Sequence, residues 1–241
     1  MPGRLVLTYK IDEIYEHFKV ELLATSWDIP GQTDDEKISS DSIVPRYNIS
    51  PSQNLLCVVG DEGSREIRFM KWGLVPFWAK DVNIGNKMIN ARSETVSSKP
   101  AFRNSFKRKR CIIPITGFYE WKNTGYGAKR PYYFKKKDDS LISFAGLWES
   151  WTGDGKNHLY TCTIMTTEPN KLIGEIHDRM GLILPEGRED VWLAQESSKD
   201  VLKELMKPYE MGDIECFPVS TFCNSPENDS PECIVPDKRL I

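Results

Sequence analysis

A carboxylate set among aromatic rings, and a histidine flanked by an acid and a guanidinium, are the residues of this chain best suited to moving protons. Glu120 lies in Gly117-Phe118-Tyr119-Glu120-Trp121. Apolar surroundings disfavour a charged carboxylate and raise its pKa into the range useful for acid/base work. Strand alternation could instead turn the same side chain to water and leave it ordinary. The chain has three histidines, at 17, 158 and 177. His17 falls in an amphipathic stretch and His158 beside a Gly/Asp turn, so both read as structural or surface residues. His177 sits in His177-Asp178-Arg179-Met180, where an imidazole can exchange protons near neutral pH while the arginine grips a phosphate. A satisfied loop histidine at a helix end fits the same tetrapeptide. Asn90-Ala91-Arg92-Ser93-Glu94 offers an amide, a guanidinium and a hydroxyl, the donors that hold phosphate oxygens. Trp72-Gly73-Leu74-Val75-Pro76-Phe77-Trp78 places aromatic rings on a constrained loop, where rings either fill a core or stack on bases.

Short strands must carry these groups. Apolar runs at 55–59, 67–72, 111–116, 132–134, 141–147 and 158–165 are rich in branched and aromatic residues and bounded by turn formers, which is the signature of strands. Helical spacing marks 11–24, 168–176, 188–194 and 200–206, and the polar stretch 26–42 reads as an exposed loop. Strands with few intervening helices imply an α+β fold, a single domain on a curved, largely antiparallel sheet with flanking helices. At 241 residues one domain is the default. The domain is expected over 1–225, with 226–241 a loop-like or disordered tail, because Asn224–Pro236 is dense in turn formers.

Charge and composition narrow the function. The net charge of −3 on its own argues against an obligate nucleic-acid binder, yet Arg103–Arg110 holds five cations and no anion, so a local cationic face or a plain solvated stretch is expected there. The six cysteines are scattered without a CxxC pair, and neither a disulfide framework nor a metal is indicated. No window approaches the roughly 18 apolar residues of a membrane span, and Met1-Pro2-Gly3-Arg4 lacks a signal-peptide core, so a cytoplasmic protein is expected. The GxSxG, P-loop, HExxH and dinucleotide-binding patterns are absent.

Six blocks in order resemble the SRAP (SOS-response-associated peptidase) family over nearly the whole chain: Pro45-Arg46-Tyr47-Asn48-Ile49-Ser50-Pro51, Trp72–Pro76, Asn90–Thr95, Gly117–Trp121, His177–Met180 and Asn224-Ser225-Pro226. The resemblance implies a cofactor-free, monomeric protein, nucleoid-associated if bacterial, that binds abasic sites in single-stranded DNA. In the family the initiator methionine is removed, and the exposed cysteine traps the sugar aldehyde as a thiazolidine. Carried over, Glu120 and His177 form the acid/base pair and Asn90 orients the sugar or the terminal amine. Arg4, Arg92 and Arg179 hold phosphates, Pro45 and Trp72 stack at the duplex boundary, and Asn48 joins the DNA-binding set.

The departure is at residue 2, where this chain has Pro2 and the family has cysteine. Proline has no thiol and cannot close the thiazolidine. After loss of Met1 its nitrogen is a secondary amine, able to form an iminium with an aldehyde, and such an adduct promotes β-elimination. Three functions follow as expectations: abasic-site recognition with amine chemistry through Pro2, a non-covalent single-strand binding module, and a protease acting on other proteins. The last lacks a visible nucleophile–base–orienter set.

Overall fold

Short β-branched and aromatic runs, most of them buried at successive positions, form two sheets in the computed structural model, which describes residues 2–20, 22–23, 45–60, 65–125, 127, 129–153, 158–210 and 212–239. The first is antiparallel throughout, in the order β13 (Ile214–Pro218), β9 (Arg130–Lys136), β8 (Gly117–Lys122), β1 (Arg4–Leu7), β3 (Arg46–Ile49). The second contains β2 (Leu22–Leu23), β4 (Asn54–Val59), β5 (Glu66–Trp72), β6 (Asn90–Arg92), β7 (Arg110–Ile115), β10 (Ile142–Trp151), β11 (Leu159–Thr167) and β12 (Met180–Gly181). Within it β11, β10, β7, β4 and β5 follow one another, and β5 pairs in parallel with β11, closing a ring. The curved antiparallel sheet expected from the sequence is therefore divided, and its larger part closes on itself. Closure removes exposed edges, where backbone groups would otherwise lack partners.

Among the described residues five short α-helices flank the sheets: α1 (Ile11–Phe18), α2 (Arg103–Arg108), α3 (Lys171–Gly174), α4 (Glu189–Leu193) and α5 (Lys199–Leu205). α1 ends earlier than its spacing predicts, because Lys19 takes a left-handed conformation (φ 49°) and its N–H turns back to Glu16; Leu22 and Leu23 join β5 instead. The loop expected at 26–42 lies outside the described residues. The basic run forms a helix. Phe102, Ser105 and Phe106 are buried and draw it into α2, while Arg110 is buried and donates to the carbonyls of Phe106, Trp192 and Ala194. No helix among the described residues is long and apolar enough to cross a membrane.

The segment after 225 is not a loose tail over its described length. Thr221–Asn224 and Pro231–Ile234 form 3-10 turns, and Cys223 and Cys233 are fully buried against Val6, Tyr119 and Tyr133. Asp229 pairs with Arg46 and accepts the backbone N–H groups of Tyr47 and Asn48. Asn48, fully buried, shares its amide N–H groups among the carbonyls of Cys223, Ser225 and Asn228 at 2.7–3.0 Å. Truncating it leaves three carbonyls and Arg4 without that partner. Asn48→Ala is expected to cost about 2–4 kcal/mol, read as a lower midpoint in urea with an unchanged slope. An unchanged midpoint would mean that water replaces the amide.

Candidate active site

The two sheets meet where the start of the chain enters β1. Arg4 pairs with Tyr119 across the antiparallel β1–β8 register, so one further step sets Gly3 opposite Glu120, and Pro2 follows. From the second sheet, β6 runs parallel to β11 with Ile164 beside Asn90. The Asn90 side-chain amide donates to the Pro2 carbonyl at 3.0 Å and so ties residue 2 to the second sheet. The Asn90 Oδ1 is buried without a hydrogen-bond partner among the described residues, a lone acceptor facing the same region. Pro2 itself is buried.

Glu120 is the most shielded carboxylate of this group, 2% exposed on β8. Burial pushes its carboxyl up to about 7, and the positive charge of the amino terminus and Lys129 oppose that rise. It is therefore half-protonated near neutral pH, able both to give and to take a proton. His177 follows α3, and its Nε2 stands 3.9 Å from Glu120 Oε2. The Arg179 backbone N–H donates to His177 Nδ1 at 3.1 Å. That bond leaves the proton of the neutral ring on Nε2, the atom that faces Glu120. Asp178 Oδ1 lies 2.9 Å from Nδ1 and favours the imidazolium, yet burial outweighs it and lowers the histidine pKa. A half-protonated carboxyl and a neutral imidazole thus lie side by side at neutral pH.

The cysteines do not supply a substitute thiol. Burial raises the pKa of all six, Cys223 to about 12, so none is a thiolate near neutrality.

The structure separates the remaining candidates. Arg92 is exposed at the end of β6 and Pro45 is exposed ahead of β3, so both are open to a ligand. Arg179 is engaged, with its guanidinium forked on Glu94 at 2.6 and 3.0 Å and also bonded to the Thr166 carbonyl. Three of the expected DNA contacts are engaged within the protein. Arg4 donates to Asn48, Cys223 and Asn224 and lies over the Trp121 ring, which makes it, like Asn48, a clasp for the C-terminal segment. Trp72 is wholly buried, with its indole N–H on the Ile89 carbonyl at 2.8 Å, and presents no face for stacking.

The rings missed in the same loop are Phe77 and Trp78, 57% and 49% exposed. Gly73 (φ 136°) and Gly85 pack backbone to backbone, and a Cβ on Gly73 would come within 2.7 Å of the Gly85 carbonyl oxygen. The indole of Trp151 donates to Ala79 O at 2.7 Å and Val75 N–H donates to Thr161. The loop is thus pinned on both sides while two rings stand in solvent. Exposed aromatics on a fixed loop are what unstacked bases need.

A family-wide comparison matches the SOS response associated peptidase (SRAP) family over residues 1–226. The chain belongs to that family. It is 43% identical over 235 residues to the abasic site processing protein YoqW of Bacillus subtilis, covering 97% of this chain and 99% of that one. It is 42% identical to YoaM of the same organism over the full length of both. The abasic site processing protein HMCES of Gallus gallus is 36% identical over 73% of this chain and 59% of its own. Among solved structures, a protein of Bacteroides thetaiotaomicron has a TM-score of 0.82 at 26% identity, covering 97% of this chain and 99% of that one. An SRAP fold built as two sheets accounts for the pocket's position, since the family blocks at 90–95, 117–121 and 177–180 converge on residue 2.

Proposed function

We propose that this SRAP protein recognises abasic sites in single-stranded DNA and captures the open-chain deoxyribose through an iminium at Pro2. The observation that carries the reading is the Asn90–Pro2 hydrogen bond, which holds residue 2 in the pocket of Glu120 and His177. Its relatives' names, abasic site processing proteins, supply the class of lesion.

The chemistry follows from the groups present. Once Met1 is hydrolysed away, the Pro2 nitrogen attacks C1 of the sugar aldehyde and gives a carbinolamine. The carboxyl of Glu120 protonates the departing hydroxyl, water leaves, and the iminium forms. His177 or the resulting Glu120 carboxylate then removes a C2 proton, the enamine expels the 3′-phosphate, and water returns the free amine. No thiol is present to close a ring on the iminium, so the adduct remains reversible. Arg92 supplies an exposed cation for a flanking phosphate, and Phe77 and Trp78 supply rings for the neighbouring bases.

The reading is tested by comparing affinity for a single strand carrying one abasic site with affinity for the intact strand. Tighter binding of the abasic strand, lost when its aldehyde is reduced beforehand, is the expected result. Equal affinity for all three strands would leave a non-specific binding module. Trp78→Ala is expected to weaken strand binding by about 1–3 kcal/mol, roughly tenfold, with no change in melting temperature; fluorescence anisotropy and a thermal melt read the two. A melt lowered by several degrees would make Trp78 a structural residue instead.

A further inference from the structure

The cationic run of α2 is only partly absorbed by the fold. Lys109 pairs with buried Glu149, and Arg110 is buried on carbonyls. Lys99, Arg103, Lys107 and Arg108 are all exposed, and none is in an ion pair among the described residues.

Their spacing is regular. Lys99, Arg103 and Lys107 stand four residues apart. The Arg103 N–H donates to Lys99 O at 2.9 Å, an i to i−4 bond that ties Lys99, which lies ahead of α2, to the start of the helix. Within α2, Arg103 and Lys107 stand about 6 Å apart along one face at 1.5 Å per residue. Phe102 and Phe106, each one position before a cation of the row, are buried, while Arg103 and Lys107 are exposed, so the row has a fixed outward direction.

The row is also joined to the pocket by rigid backbone. Thr95 N–H reaches Arg92 O, Lys99 N–H reaches Thr95 O, and Phe102 and Arg103 both reach Lys99 O. Ser93 N–H is held on Thr166 O at 2.8 Å. From exposed Arg92 through Lys107, the chain is thus a continuous set of hydrogen-bonded turns that begins at the pocket. A row of exposed cations with no anion among them, on a protein of net charge −3, is complementary to a polyphosphate backbone.

We infer that Lys99, Arg103 and Lys107 form a second contact surface, which grips the sugar-phosphate backbone of the same DNA strand beyond the nucleotides that fill the pocket. The inference rests on the abasic-site reading for the identity of the strand. The contact is to phosphates, so it carries no sequence preference.

The test uses the full-length protein and the triple variant Lys99→Gln, Arg103→Gln, Lys107→Gln. Glutamine keeps helix propensity, and the replaced side chains are exposed, so the fold is preserved. Affinity is measured over a range of salt concentrations for a short abasic strand that only fills the pocket, a long abasic strand and a long intact strand. On both long strands the variant is expected to bind about tenfold more weakly at moderate salt. The slope of log affinity against log salt is expected to fall by about 2, the value for three lost phosphate contacts to a single strand. The short strand should be unaffected. Equal affinity and slope for wild type and variant on the long strands would overturn the inference. So would an equal loss on the short strand, which would place the row in the pocket's own grip. Failure of the abasic-site reading looks different: the wild type would then bind the abasic and intact long strands equally, whatever the row does.

Discussion

Pro2→Cys is expected to convert a reversible adduct into one that survives heat and denaturant without a reductant. The pocket already holds residue 2 by its carbonyl through Asn90, a contact made by the backbone and therefore kept by any side chain. Cysteine there adds a thiol beside the α-amine, and the iminium carbon is then trapped by the thiol as a five-membered ring. The expected change is qualitative: no heat-stable shifted band from the wild type, and a shifted band from the variant on a denaturing gel with abasic single-stranded DNA. None of the six existing cysteines interferes, because burial raises the pKa of every one. A variant that folds and binds the strand but forms no stable adduct would show that residue 2 does not meet the sugar.

Glu120→Gln is expected to slow adduct formation by a factor of about 10² to 10⁴, the usual contribution of a positioned acid/base group, while binding of the strand persists. The same substitution should stabilise the fold at high pH. Unfolded, the carboxyl titrates at its ordinary value of 4.5; folded, burial places it at about 7. Between those values the folded chain holds a proton that the unfolded chain has released, so stability falls as pH rises from 4.5 to 7. At 1.36 kcal/mol per pH unit the total fall is about 3 kcal/mol. Glutamine cannot ionise and escapes it. His177, whose pKa is lowered, acts in the opposite sense below about 6.5, where the unfolded chain takes up the proton more readily. Denaturation midpoints of the two proteins should therefore separate as pH rises from 4.5 to 7, stay apart above that, and converge toward pH 4. Parallel curves at all pH values would mean that Glu120 is ionised and well solvated in the folded protein.

Most of the pocket was legible in the sequence because local context announces it. A carboxylate inside Gly-Phe-Tyr-Glu-Trp and a histidine between an acid and an arginine are unusual enough to single out, and the ordered blocks identify the family. Glu120 was still ambiguous between burial and a water-facing edge until β8 was seen paired on both sides, by β1 and β9. The errors share a cause, in that they depend on contacts between residues distant in sequence. Arg4 and Asn48 are polar residues in family blocks, and only the return of the chain at 223–228 shows that they clasp that segment. Trp72 and Trp78 lie six positions apart in one loop and are chemically identical. The end of β5 takes Trp72 into the core, and the Gly73–Gly85 contact turns the loop so that Trp78 points outward. The basic run reads as a solvated stretch or a face, and buried Phe106 inside it with Phe102 just before it make it a helix with one row outward.

Residue 2 as the reacting group is the central claim, and trapping with borohydride tests it most directly. Wild-type protein is mixed with single-stranded DNA carrying one abasic site, with and without the reductant, and the products are run on a denaturing gel and digested for mass spectrometry. The predicted result is a shifted band in the borohydride lane alone, with the deoxyribose remnant on the N-terminal peptide beginning at Pro2. A shifted band without reductant would mean that another nucleophile has taken the place of the missing thiol. No shifted band in either lane, with the strand still bound on a native gel, would contradict covalent capture and leave recognition without chemistry.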